Sequence, residues 1–170
     1  MDIRDARAGD ALAIMAICND AVLHTTAIWN ETVVDEANRQ AWMAERQGMG
    51  YPVLVACDVQ GQVIGYASFG NWRAFDGYRH TVEHSVYVAA TARGQGVGRA
   101  LMTELMQRAR ALGKHVMVAA IEAENKASIE LHRQLGFEPC GLMPQVGAKF
   151  GRWLDLALLQ RILDQNPQPA

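Results

Sequence analysis

The sequence predicts a single α/β domain, in which a mixed sheet carries helices on both faces. Three observations point there. Residues 81–88 alternate, with Thr81, Glu83, Ser85 and Tyr87 on one side and Val82, His84, Val86 and Val88 on the other, which is the period of a strand. A glycine-rich turn follows at Arg93-Gly94-Gln95-Gly96-Val97-Gly98 and opens onto Val97, Leu101, Leu105, Ala109 and Leu112 at helical spacing. A nearly continuous apolar run, His115 to Ile121, then reads as a strand buried on both faces.

The remaining elements are read in chain order. Asp2 to Arg7 predicts a short first strand, and Asp10 a cap for a helix bearing Leu12, Ile14, Met15, Cys18 and Val22. His24 to Glu31 reads as a loop, and Asp35 starts a second amphipathic helix that ends near Gly48 or Gly50. Val53–Asp58 and Val63–Phe69 flank the turn VQGQ and predict an antiparallel hairpin. Gly70 to Tyr78 is a polar and aromatic loop. Gly113 ends the helix that begins after the glycine turn, Asn125 opens another, and Gly136 closes it. Phe137–Met143 and Lys149–Leu159 predict two last strands, or a strand running into a short helix, before a loose tail from about residue 163.

Composition narrows the function classes. The chain has 170 residues, 50% hydrophobic and 20% charged, the range of a globular protein with its own core. A net charge of −2 offers no basic surface for nucleic acid or anionic membrane, and Ala11–Cys18, the longest apolar run, is too short to span a bilayer. The charged N-terminus lacks a signal-peptide core. Cys18, Cys57 and Cys140 are widely spaced, which argues against disulfides and a zinc site and for a reducing compartment, the cytoplasm. Neither H-E-x-x-H nor G-x-S-x-G occurs, so no metal and no nucleophilic triad is expected.

A strand feeding a glycine loop that feeds a helix is a device for holding phosphate. Glycines allow close backbone approach, and a helix start points N–H groups and a favourable dipole at an anion. The spacing fails as a dinucleotide fingerprint, because the sixth position is Arg99 from Gly94 and Leu101 from Gly96. It fails as a P-loop too, because Arg99-Ala100 follows Gly98. Alone, the three glycines read equally well as a tight turn. Arg93, Gly96 and Gly98 nevertheless fill Arg/Gln-x-x-Gly-x-Gly, which resembles the pyrophosphate loop of the GNAT superfamily of N-acetyltransferases.

A second element agrees with the first. Asn125, Ser128 and His132 share one helix face; read alone they are an N-cap, a solvated Ser and a surface His. With Leu135-Gly136-Phe137 they resemble the N-x-x-[AS]…Y-x-x-x-G-F element of acetyltransferases, with His132 at the Tyr position. Asn71 to Val88, NWRAFDGYRHTVEHSVYV, and His24 to Glu31, HTTAIWNE, resemble the phosphinothricin acetyltransferases and their methionine sulfoximine and methionine sulfone relatives, over nearly the whole chain. Departures are Asn71, where Pro is common, and Phe75, where a polar residue is often seen.

The resemblance implies a GNAT-type sheet, mixed and mostly antiparallel, of about six or seven strands. It implies acetyl-CoA as donor, a small amino acid or its sulfone, sulfoximine or phosphinate analogue as acceptor, and a homodimer. Acetyl-CoA would be held by Arg93, Gly94, Gln95, Gly96, Val97, Gly98 and Arg99, by the backbone of Val86, Tyr87 and Val88 as an added strand, and by Asn125, Ser128 and His132. Catalysis would rest on Glu83 as base, directly or through a water, with His84 as pocket wall or proton relay and His132 as acid or positioner of the sulfur. Read alone, Glu83 is a strand carboxylate in a structural pair and His84 a core histidine. An amino-acid carboxylate calls for a guanidinium fork, so Arg73, then Arg79 and Lys149, are its candidates. Trp29, Trp72, Ala74 and Phe75 would line the side-chain pocket, with Ser85 beside Glu83. Protein N-terminal or lysine acetylation, and a non-catalytic acetyl-CoA-binding module, are the competing readings.

Overall fold

The computed structural model describes residues 1–169. Its strands are β1 (Asp2–Asp5), β2 (Val53–Cys57), β3 (Val63–Asn71), β4 (Thr81–Val88), β5 (Val116–Glu122), β6 (Glu138–Lys149) and β7 (Arg152–Ile162). Its α-helices are α1 (Ala11–His24), α2 (Glu36–Gly48), α3 (Val97–Ala111) and α4 (Lys126–Gln134). The strands form one sheet in the order β1-β2-β3-β4-β5-β7-β6. The pairs β1–β2, β2–β3, β5–β7 and β6–β7 are antiparallel, and β4–β5 is parallel. A parallel pair needs a long crossover, and α3 supplies it between β4 and β5. No described helix is long and apolar enough to cross a membrane.

The chain divides into two compact units, one of Met1–Phe69 with Ser85–Leu105, the other of Gly70–His84 with residues from Met106 onward. In the first unit, Ile14, Ile17, Cys18 and Val22 of α1 and Met43 of α2 pack with Val53, Val55 and Cys57 of β2 and with Tyr66 of β3. Every residue of β2 is buried, as its unbroken apolar run requires. Asp35 caps α2 by accepting the Asn38 N–H (2.8 Å). Asn19 clamps the approach to α2, accepting the Val34 N–H (3.0 Å) and donating to the Val34 carbonyl (2.9 Å).

One local expectation is corrected here. Asp10 stands at the start of α1 but makes no capping bond through its side chain. Its carboxylate accepts instead from both arms of the Arg4 guanidinium (2.7 and 2.9 Å) and from the Arg7 N–H (2.7 Å). A two-pronged, charge-assisted pair outweighs a single cap bond. Those bonds, the Arg4 one first, hold the Asp10 carboxyl below its usual range. Gly65 also has a specific reason. A Cβ there would lie 3.0 Å from Val97 Cγ1, 3.1 Å from Leu101 Cδ1 and 3.1 Å from the Tyr87 carbonyl oxygen. The missing side chain is what lets the first turn of α3 lie against β3.

In the second unit, β5 pairs with β7 from Val116↔Ile162 to Glu122↔Leu156. The expected break between Met143 and Lys149 is absent. β6 runs through it to Lys149, and Phe150-Gly151, both at positive φ, turn the chain into β7. Pro139, Pro144 and Gly147 spoil the alternation without ending the strand, because β6 is the sheet's edge and has no partner on one side. The ladder absorbs the disruption in register shifts at Pro139/Gly141 and Met143/Gly147. Residue 163 does not begin a loose tail either. Leu163 is buried, its N–H meets the His115 carbonyl (2.7 Å), and its carbonyl accepts from Arg110 Nε (2.6 Å).

Candidate active site

In the first unit the glycine loop is built as its spacing predicts. Gly94 and Gly96 hold φ of 74° and 81°, where residues with a Cβ are strained, and no atom lies within 4 Å of a Cβ placed on either. The loop's glycine face is therefore open to a ligand. α3 begins at Val97, and its first closed bond runs from the Ala100 N–H to the Gly96 carbonyl (3.0 Å). The N–H groups of Val97 and Gly98 have no acceptor within a helix by construction, so they suit an anion.

Arg93 is not simply a cation held out to phosphate. Its guanidinium donates to the Asp20 carboxylate of α1 (3.0 Å) and to the Val88 carbonyl (3.3 Å). It fastens the loop to α1 and to the end of β4. Sequence reasoning missed Asp20, which lies 73 residues away and carries no motif. Gln95 braces the same loop through the Thr91 carbonyl (3.0 Å). Trp29, expected as a pocket wall, donates its indole N–H to the Thr26 carbonyl (3.0 Å) and closes its own loop.

In the second unit the parallel ladder joins Thr81, Val82 and Glu83 of β4 to Val116, Met117 and Val118 of β5. Alternation places the Glu83 side chain on the face of β4 opposite to that of His84. Of the residues expected to serve catalysis, the two histidines meet, and Glu83 sits on the other face of β4, as the alternation in the sequence already reads. His84 Nε2 lies 3.0 Å from His132 Nε2, with the rings at 12° to one another. Phe137 stands edge-on to both rings, at 5.7 and 5.1 Å. The Gly136-Phe137 pair stood out in the sequence as part of a motif, and Phe137's role as the wall of this pair did not.

His132 Nδ1 is 2.7 Å from the Ser128 carbonyl one turn earlier in α4, and 3.5 Å from Ser128 Oγ. Asn125 caps α4, its Oδ1 accepting the Ser128 N–H (3.1 Å). Its bland reading is thus realised, and its side-chain oxygen is committed. His84 and His132 are 9% and 1% exposed, so neither is a surface histidine. Burial, and then the neighbouring His132, push His84 well below the usual imidazole range. Burial lowers His132 as well, against the opposing pull of the Ser128 carbonyl. Both rings are neutral at neutral pH.

The loop before β4 is exposed. The Arg73 guanidinium lies 4.0 Å over the Trp72 ring and donates to the Trp72 carbonyl (3.1 Å), a posture that presents its outer edge to solvent. Arg79 donates to the Asp76 carbonyl (3.3 Å). Ala74 and Phe75 of the same loop are exposed, Phe75 at 78%. Lys149, the third candidate cation, sits at the end of β6 only 1% exposed, with its ammonium 4.8 Å from the Phe150 ring. Among the described residues no group of three His, Cys, Asp or Glu could hold a metal ion.

A glycine loop at the start of the crossover helix suits a phosphate-bearing ligand, and the comparisons with known proteins supply the family. Residues 14–137 match the model of the Acetyltransferase (GNAT) family, and the chain belongs to that family. It is 64% identical over 162 residues, 95% of this chain and 94% of its relative, to the L-methionine sulfoximine/L-methionine sulfone acetyltransferase of Pseudomonas aeruginosa. It matches a solved ribosomal-protein-alanine N-acetyltransferase from Brucella melitensis at 56% identity and a TM-score of 0.93, over 95% of this chain and 99% of that one. It also matches a phosphinothricin acetyltransferase from Sinorhizobium meliloti solved with acetyl-CoA, at 43% identity and a TM-score of 0.96, over 99% and 92%.

The histidine pair makes a testable contribution to stability. Unfolded imidazoles titrate near 6.5, and both folded ones titrate lower. Below 6.5 the unfolded chain therefore binds more protons. The pair's contribution is present above that pH and is lost as pH falls through it. The Tm of the wild type should drop between about pH 7.5 and 5 more steeply than that of a His84→Phe, His132→Phe double variant. Parallel Tm curves would remove the pair from the account.

Proposed function

We propose that this enzyme transfers the acetyl group of acetyl-CoA directly to the α-amino group of a small amino acid such as methionine sulfone, methionine sulfoximine or phosphinothricin. The observation that carries the reading is the 64% identity, over 95% of the chain, to a relative whose name states that activity. The open glycine face of the Gly94–Gly98 loop fits the diphosphate of the donor. When bound, acetyl-CoA supplies a thioester carbon already activated for attack.

The protein's own groups then have four tasks. The loop and the α3 start hold the diphosphate through backbone N–H groups. The β4 backbone at Val86 and Val88 pairs with the pantetheine arm as with an added strand, and an N–H there polarises the thioester oxygen. Glu83 takes the proton of the amine, whose ordinary pKa near 8 asks only for a modest base. Arg73 holds the substrate carboxylate in its guanidinium fork. A thiol pKa near 8.5 makes the thiolate an adequate leaving group without a strong acid.

The Brucella neighbour's name favours a second reading, acetylation of a protein rather than of a free amino acid. Thiol-release kinetics separate the two. Glu83→Gln should lower kcat by about a hundredfold or more, as for loss of a positioned base. Arg73→Ala should lower kcat/KM for the amino acid by roughly 30- to 1,000-fold, the loss of a charge-assisted pair. It should leave an amine without the carboxylate nearly unchanged, and Arg73→Lys should recover part. Equal losses with and without the carboxylate would make Arg73 structural and point to a peptide acceptor.

The second unit exposes a run of large apolar side chains on the β6–β7 hairpin: Leu142, Met143, Val146, Phe150 and Trp153. Such a patch on an edge hairpin suits a second copy of the chain, so the homodimer implied by resemblance is proposed to pair there. Sedimentation should give twice the 18.7 kDa chain mass, and Trp153→Glu should return it to that of one chain. A wild-type monomer at micromolar concentration would contradict this.

A further inference from the structure

The hydrogen bonds around His132 fix where every proton of the histidine pair lies. The Ser128 carbonyl can only accept, so the proton of the 2.7 Å contact sits on His132 Nδ1. A neutral imidazole has one N–H, so His132 Nε2 is bare. The 3.0 Å contact between the two Nε2 atoms then requires His84 to donate. His84 has spent its one proton inward, and its Nδ1 is a bare acceptor. That Nδ1 is buried and has no hydrogen-bond partner among the described residues. The chain thus runs from His84 Nε2–H to His132 Nε2, and from His132 Nδ1–H to the Ser128 carbonyl.

This order has a consequence for the transfer reaction, and it rests on the acetyltransferase reading above. His132 stands where the resemblance puts a tyrosine acid. Both of its ring nitrogens are engaged, its one proton points back into α4, and it is 1% exposed. It has nothing to give a departing thiolate. We propose that His132 is a positioning residue that locks His84 in its Nε2–H form, and that His84 Nδ1 accepts a hydrogen bond from an N–H donor of the reacting complex. The amides of pantetheine are the donors the reaction offers on this face of β4, since the amine lies with Glu83 on the other. The thiolate leaves unprotonated and takes its proton from solvent.

Three features make this a built site. The acceptor atom belongs to a side chain more than nine-tenths buried, so an unmatched lone pair there is costly without a ligand. The lock is enforced by a backbone carbonyl inside a helix, which cannot rotate to donate. Phe137 packs edge-on against both rings, which keeps them from turning over. An apolar pair of side chains would have filled the same space with no such order.

Two measurements test the proposal. Long-range nitrogen–proton spectra of protein labelled at its five histidines read the tautomers directly. The expected result is His132 protonated on Nδ1 and His84 on Nε2; a His132 protonated on Nε2 would overturn the lock. In His132→Phe, His84 should lose its single form and show a mixture. Steady-state kinetics then test the acceptor. His84→Phe should lower kcat/KM at least about tenfold, the rate equivalent of one hydrogen bond. His84→Gln, which can donate to His132 and still present a carbonyl, should recover part of it. The loss should appear as a rise in KM for acetyl-CoA, and a rise confined to the amino acid would overturn the amides as donor. If Phe performs as well as Gln, His84 is packing and the acceptor role fails. A wild type that releases no thiol with any amino acid would sink the proposed function instead, while the spectra still decide the tautomers.

Discussion

The close approach of α3 to β3 at Gly65 governs the functional architecture of the first unit. With no Cβ at that point, Val97 and Leu101 reach the sheet beside the Tyr87 carbonyl. Everything the glycine loop can do follows from that start. Its N–H groups gain their direction from α3, its two left-handed glycines reverse the chain into it, and Arg93 ties it to α1 and to Val88. A side chain at residue 65 would crowd Val97, Leu101 and the Tyr87 carbonyl, and those neighbours would have to give way.

In the second unit the corresponding constraint is polar. β4 presents alternate residues to opposite faces, so Glu83 and His84, though adjacent, serve different surroundings. His84 is buried against α4 and Phe137, where a charge is expensive, and its pairing with His132 makes two neutral imidazoles tolerable. That arrangement separates labour. A carboxylate on one face suits proton removal, and an ordered imidazole pair on the other suits a fixed hydrogen bond.

Much of this was legible in the sequence, and the reasons are local. β4, the glycine loop and α3 announce themselves through period two, glycine spacing and period 3.6, all signals that lie within a few residues. Gly113 and Gly136 stop their helices at the expected places and hold positive φ. What escaped depends on partners far along the chain. Asp10 serves Arg4 rather than its own helix, Arg93 finds Asp20 at 73 positions, and His84 finds His132 at 48. The β6–β7 boundary was misplaced because Pro144 and Gly147 are interruptions that only an edge strand tolerates, and edge position is a property of the sheet. Lys149 reads as an available cation until burial is known.

The claim on which the functional account turns is that acetyl-CoA is held by the backbone of the loop at the α3 start. Calorimetric titration of acetyl-CoA into the wild type and into Gly96→Val tests it most directly. Gly96 sits at φ 81°, so a β-branched residue there both strains the turn and raises a wall on its open face. With the far-ultraviolet spectrum of the variant unchanged, the account predicts a loss of affinity of at least about tenfold, the order of one lost charge-assisted bond. An affinity equal to that of the wild type would contradict it.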